Sequence, residues 1–163
     1  ILSILDQSYT DSEFAQKPVQ IPTVLPERTF LEKIFLLHEE LHRPEEKRKV
    51  ERYSRHLYDI YKISQTKFAD SAINNNALYQ TIVEHRFLFL KMGGVDYNLL
   101  QPQRVNFIPP GEVLSKWESD YKTMQEQMIH GDSPSFEELI GILKEMNNKI
   151  NGLGWKMDVI FKK

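Results

Sequence analysis

Residues Pro26 to Asp59 read PERTFLEKIFLLHEELHRPEEKRKVERYSRHLYD, and they set the fold class. Phe30, Ile34, Leu37 and Leu41 recur at the spacing of one helix face, and Thr29 with Glu32 three places on makes a capping box ahead of them. Pro44 ends this helix, because a proline disfavours helical geometry in the residue before it. A charged loop, Glu45 to Lys49, then leads into a second helix expected over Val50 to Ser64, with Tyr53, Leu57, Ile60 and Tyr61 on its apolar side.

The same periodicity predicts helices over Asn76–Lys91, Gly111–Ile129 and from a second capping box, Ser135 with Glu138, to Gly152. In the first of these Leu78, Ile82 and Phe89 should face inward, and in the second Val113, Leu114, Trp117, Tyr121, Met124 and Met128 should. The expected fold is mainly α: a helical bundle with minor short strands. Residues 1–25, with short β-prone runs and two prolines, read as an extended arm or edge strands left from an upstream domain, residues 26–152 as the helical domain, and residues 153–163 as a tail able to form a strand. Arg104 to Ile108 is a second short-strand candidate.

Composition narrows the function. With 163 residues, 40% hydrophobic and 27% charged, the chain can bury one sizeable core. A formal charge of -2 and a pI near 6.2 exclude coating of nucleic acid through bulk charge, so any contact with phosphate must come from a local cluster. No cysteine is present, which excludes disulfides and thiolate metal sites and suits a reducing cytoplasm. No apolar run approaches membrane-spanning length, so no membrane is expected as a partner.

Two motifs compete for attention. HEELH, His38 to His42, has the H-E-x-x-H spacing that puts two imidazoles on one helix face for zinc with Glu39 as general base. A third ligand is missing, however: Arg43-Pro44 ends the helix at once, and no glutamate lies between Glu51 and Glu84. The expected state of His38 and His42 is therefore ordinary, partly exposed helix residues. The second constellation is Lys33 with Arg52, Arg55, His56 and Asp59, the last four of which spacings of three, four and seven place on one face of the second helix. Arginine forks grip phosphate in pairs of hydrogen bonds and lysine acts as a point charge. The alternative is a solvated face with an Arg55–Asp59 ion pair.

The segments LPERTFLEKIFLLHEELHRP, RYSRHLYDIY, HRFLFLKMGGVDYNLL and PPGEVLSKWESDYKTMQEQMIHGDSPSFEELIGILKEMNNKIN, in that order from about Ile21 to Asn151, resemble the downstream half of the AbiEii/AbiGii-type toxin nucleotidyltransferases. The resemblance implies a bacterial toxin-antitoxin or phage-defence enzyme of the cytoplasm. Its expected substrate is a nucleoside triphosphate (NTP), its acceptor tRNA or another RNA as in some relatives, and its partner a cognate antitoxin. By the family pattern Lys33 and Asp59 match catalytic positions, and Arg55, with Arg52, the substrate phosphate contact. His56 stands where many relatives carry an aspartate. The glycine turn and paired D-x-D that hold Mg²⁺ in such enzymes are absent from this chain: its Gly93-Gly94 lies far downstream, and Asp6 and Asp11 are too widely spaced. The metal-binding half is therefore expected upstream in the full-length protein, and neither metal nor catalysis is expected of this segment alone. A helical protein-interaction module without catalysis is the other reading, and an HExxH zinc peptidase a third.

Overall fold

Helix α1 covers Pro26–His42, α2 Ser54–Ser64, α3 Lys67–Ile73, α4 Asn76–Phe89, α5 Leu114–Met128 and α6 Phe136–Asn151 in a computed structural model that describes residues 20–162. Single 3₁₀ turns at Glu45–Lys47, Tyr97–Leu99 and Gly111–Val113 complete the regular structure of those residues. The fold is mainly helical, as the periodicity predicts.

Helix α1 is the axis of the molecule. It packs on α2, α3 and α4, while α2 reaches across to α5 and α6. Phe30, Leu31, Ile34, Phe35 and Leu37 are wholly buried, and Phe35 meets Tyr79 of α4 edge to face at 4.7 Å. Each such side chain contributes roughly 1.5–3 kcal/mol of burial, so truncating Phe35 to alanine would open a cavity at the centre of the core. With neighbours on so many sides, the second half of α1 has no solvent face to spare, and even His38, Glu39 and Glu40 are buried.

The element ends differ from expectation for identifiable reasons. Helix α1 starts at Pro26, whose missing N–H and fixed φ suit the first position, so the Thr29–Glu32 capping box goes unused and Glu32 is free to pair elsewhere. Helix α2 starts at Ser54 rather than Val50 because Arg52 adopts φ 62°, a left-handed backbone that no helix tolerates. The Ser135–Glu138 capping box is present with both of its hydrogen bonds. Phe89 is 73% exposed rather than inward, since α4 runs past the bundle at that end. Met128 is likewise exposed, whereas Trp117, Tyr121 and Met124 of α5 are buried.

Among the described residues there is no strand. Val105 and Phe107 do point inward, but the backbone around them is satisfied by helix side chains: Asn106 N–H donates to His38 Nδ1 (2.9 Å), Phe107 N–H to Asn147 Oδ1 (3.4 Å), and Val105 C=O accepts from Asn151 Nδ2 (2.9 Å). The tail alternates as an extended chain should, with Trp155, Met157, Val159 and Phe161 turned inward and Lys156, Asp158 and Ile160 exposed. Its partner is again a side chain. The Asn98 amide donates to Phe161 C=O (2.9 Å) and accepts from Phe161 N–H (2.8 Å), reproducing the reciprocal pair a neighbouring strand would offer. The arm expected over 1–25 lies, for residues 1–19, outside the described residues.

Candidate nucleotide site

Lys33 and Asp59 meet. The ammonium on α1 lies 3.2 Å from Asp59 Oδ2 on α2 and 3.1 Å from His56 Nδ1, so two turns of α2 converge on one lysine of α1. The arrangement follows from packing: α1 packs on α2, with Ile34, Leu37, Leu57 and Ile60 all buried in one core cluster, which leaves Lys33 at the edge of the apolar seam with His56 and Asp59 facing it. The lysine side chain keeps 26% of its surface and the aspartate 43%, so the pair borders solvent while His56 is buried.

Because an ammonium can only donate, His56 Nδ1 must accept and the imidazole is neutral, with its proton on Nε2. Burial first, then the Lys33 and Arg55 cations, push His56 down to about 4 against the pull of Asp59. Near neutral pH the cluster is thus one cation, one anion and one neutral acceptor. Displacing the carboxylate from Lys33 would leave the ammonium pointed at a half-open surface and still held by His56.

The arginines face another way. Arg52 precedes α2 instead of sharing its face, and Arg55 turns toward α5, so the expected single stripe is split between the two flanks of α2. Among the described residues Asp59 pairs with Lys33 rather than with Arg55. Arg52 and Arg55 line a cavity of about 820 Å³ with Lys116, Ser119, Asp120, Thr123 and Gln127 of α5. Asp120 builds the rim: its two oxygens accept from Arg52 N–H (2.6 Å) and Ser54 N–H (2.9 Å), capping α2 and holding the left-handed turn. Sequence reasoning misses Asp120 and Lys116, because nothing near them distinguishes them from the other surface charges of an amphipathic helix.

The HEELH residues serve the core. His38 is fully buried, not partly exposed, and its Nδ1 accepts from Asn106 N–H, which fixes the neutral form; burial and the neighbouring His42 push it down to about 3. His42 stacks on it at 3.9 Å and hydrogen-bonds the His38 carbonyl. Glu39 is gripped by the Arg86 fork (2.7 and 2.6 Å), which leaves it no freedom to act as a base. A zinc peptidase centre is incompatible with these pairings. Nor do the described residues fit a magnesium site: no three metal-binding side chains cluster, and Asp59, the one carboxylate of the Lys33 cluster, faces an ammonium. No described helix is long and apolar enough to cross a membrane.

The family model described as nucleotidyl transferase AbiEii toxin, type IV toxin-antitoxin system, matches residues 3–141. No curated protein and no solved structure matches the chain significantly.

Proposed function

The chain belongs to the AbiEii family of nucleotidyl transferase toxins, and from that premise we propose that α1 and α2 form the phosphate-binding wall of a nucleotidyltransferase active site acting in the cytoplasm. In the transfer, an acceptor hydroxyl gives its proton to water and its oxygen bonds to the α-phosphorus of an NTP, the bond to the bridging oxygen breaks, and pyrophosphate leaves with the electron pair. Lys33 neutralises charge building on that leaving group. Asp59 and His56 hold the lysine in place until a triphosphate takes over from the carboxylate, and Arg55, with Arg52, positions phosphate from the other flank of α2. The observation that carries this reading is the Lys33–Asp59 contact at 3.2 Å, two family-pattern positions from different helices meeting at a half-exposed surface.

Magnesium has no set of ligands among residues 20–162, so no step here is routed through it. The reading assigns its carboxylate pair to a part of the protein outside these residues. RNA is the acceptor class, and the antitoxin is the protein partner that the toxin-antitoxin family implies.

Transfer of a labelled nucleotide by the full-length protein tests the assignment. Lys33→Ala should lower it by about 10²–10³-fold, the range for removing one donor to developing charge, with an unchanged circular dichroism spectrum. A variant as active as the parent removes Lys33 from the site.

A further inference from the structure

The cavity between α2 and α5 has a character of its own. Lys116, Ser119, Thr123 and Gln127 recur every three to four residues and so share one exposed face of α5, opposite Arg52 and Arg55. Lys33, Arg43, Arg86, Lys122 and Lys149 each have a carboxylate partner. Arg52, Arg55 and Lys116 make no ion pair among the described residues, as is also true of exposed cations such as Lys62, Lys67 and Lys144, but these three line one cavity together. Asp120 keeps its charge while both its oxygens accept from the Arg52 and Ser54 N–H groups, and with Glu51 it leaves the lining, set against Arg52, Arg55 and Lys116, with one positive charge in excess. Holding a non-glycine residue at φ 62° for this purpose stores backbone strain beside the three unpaired cations.

Shape and chemistry narrow the ligand. The stretch of helix from Lys116 to Gln127 runs about 16 Å, the span of about five phosphates in a stacked strand and more than the three of an NTP. Beside two carboxylates and the apolar Val50, Met124 and Met128, the lining holds three cations, hydroxyls and an amide but no aromatic ring, so it has no platform for stacking bases. Such a surface recognises sugar and phosphate and tolerates any sequence.

We propose that the α2–α5 cleft is a track for the sugar-phosphate backbone of a single-stranded RNA acceptor, leading it past Arg55 toward the Lys33 site. The assignment rests on the nucleotidyltransferase reading above and adds where the acceptor lies.

Binding of a fluorescent single-stranded RNA of about ten nucleotides to the full-length protein, followed by anisotropy between about 50 and 200 mM salt, tests it. The parent should bind with strong salt dependence. Lys116→Ala should bind more weakly and lower the log–log salt slope by about 1, and Lys116→Glu with Thr123→Glu should weaken binding at least tenfold at an unchanged melting temperature. Equal affinity of parent and both variants overturns the proposal. So does full displacement of the RNA by a non-hydrolysable NTP, which would make the cleft a triphosphate site. Loss of RNA binding in the α5 variants together with full transfer by Lys33→Ala would instead overturn the catalytic assignment and leave the track standing.

Discussion

Glu32 and Lys33 are neighbours on α1, yet they join networks of opposite kinds. Glu32 turns toward α4, where the Arg86 guanidinium sits between it (2.5 Å) and Glu39. Glu39 is wholly buried and the Arg86 side chain is 6% exposed. Lys33 turns toward α2 and a carboxylate with nearly half its surface in water. In the first network the geometry is closed: the fork is bidentate on Glu39, a second carboxylate takes its other end, and no ligand could enter. In the second the anion can be exchanged for another. The contrast separates a charge cluster that holds helices together from one arranged to receive phosphate, though both appear in sequence as E and K in a single dipeptide.

That contrast can be broken by mutation. The largest effect should come from Arg86→Ala, which leaves Glu39 charged and unpaired in the core; a loss of about 3–5 kcal/mol in denaturant unfolding is expected, and a loss below about 1 kcal/mol would mean that the network is not structural. Next is acidification. An unfolded His38 titrates near 6.5 and the folded one at about 3, so below pH 6.5 the unfolded chain takes up a proton that the folded chain refuses. Stability should therefore fall as pH drops through that window, His38 contributing about 2 kcal/mol between pH 6.5 and 5 at about 1.4 kcal/mol per unit and His56, pushed down to about 4, adding a loss of the same sign, so His38→Gln should about halve the slope measured by chemical denaturation at each pH. Asp120→Ala removes the cap of α2 and should destabilise by about 1 kcal/mol, with faster amide exchange at Ser54 as the local signature. The smallest effect belongs to Asp59→Asn: a half-exposed ion pair is worth less than about 1 kcal/mol, so its melting temperature should barely move while nucleotide transfer falls. A large stability loss there would erase the distinction between the two clusters.

The longer helices are legible because an apolar stripe repeated over three or more turns fits a helix and little else, and five of the six follow from it. Helix α3 has only seven residues, too few to show a repeat, although Thr66 caps it. The start of α2 is beyond local reading, since its determinant, Asp120, is 66 residues from Ser54. Both strand candidates have the right alternation and the wrong partner: Asn98, Asn147, Asn151 and His38 offer the hydrogen bonds that a second strand would have supplied. His38 shows the same limit from the other side, because nothing in HEELH says that α1 is enclosed on all sides there. Within the candidate site, Lys33 and Asp59 lie 3.2 Å apart, whereas the arginines part from them. Helical spacing places Arg52 on a face of α2 only by assuming that α2 extends that far back.

The grip of Asp120 on the entry of α2 has a mechanical side. Ser54 and Asp59 stand about 7 Å apart on one stiff rod, so the Asp120 carboxylate that fixes the start of the rod also fixes where its middle, and with it the lysine's counter-charge, comes to lie.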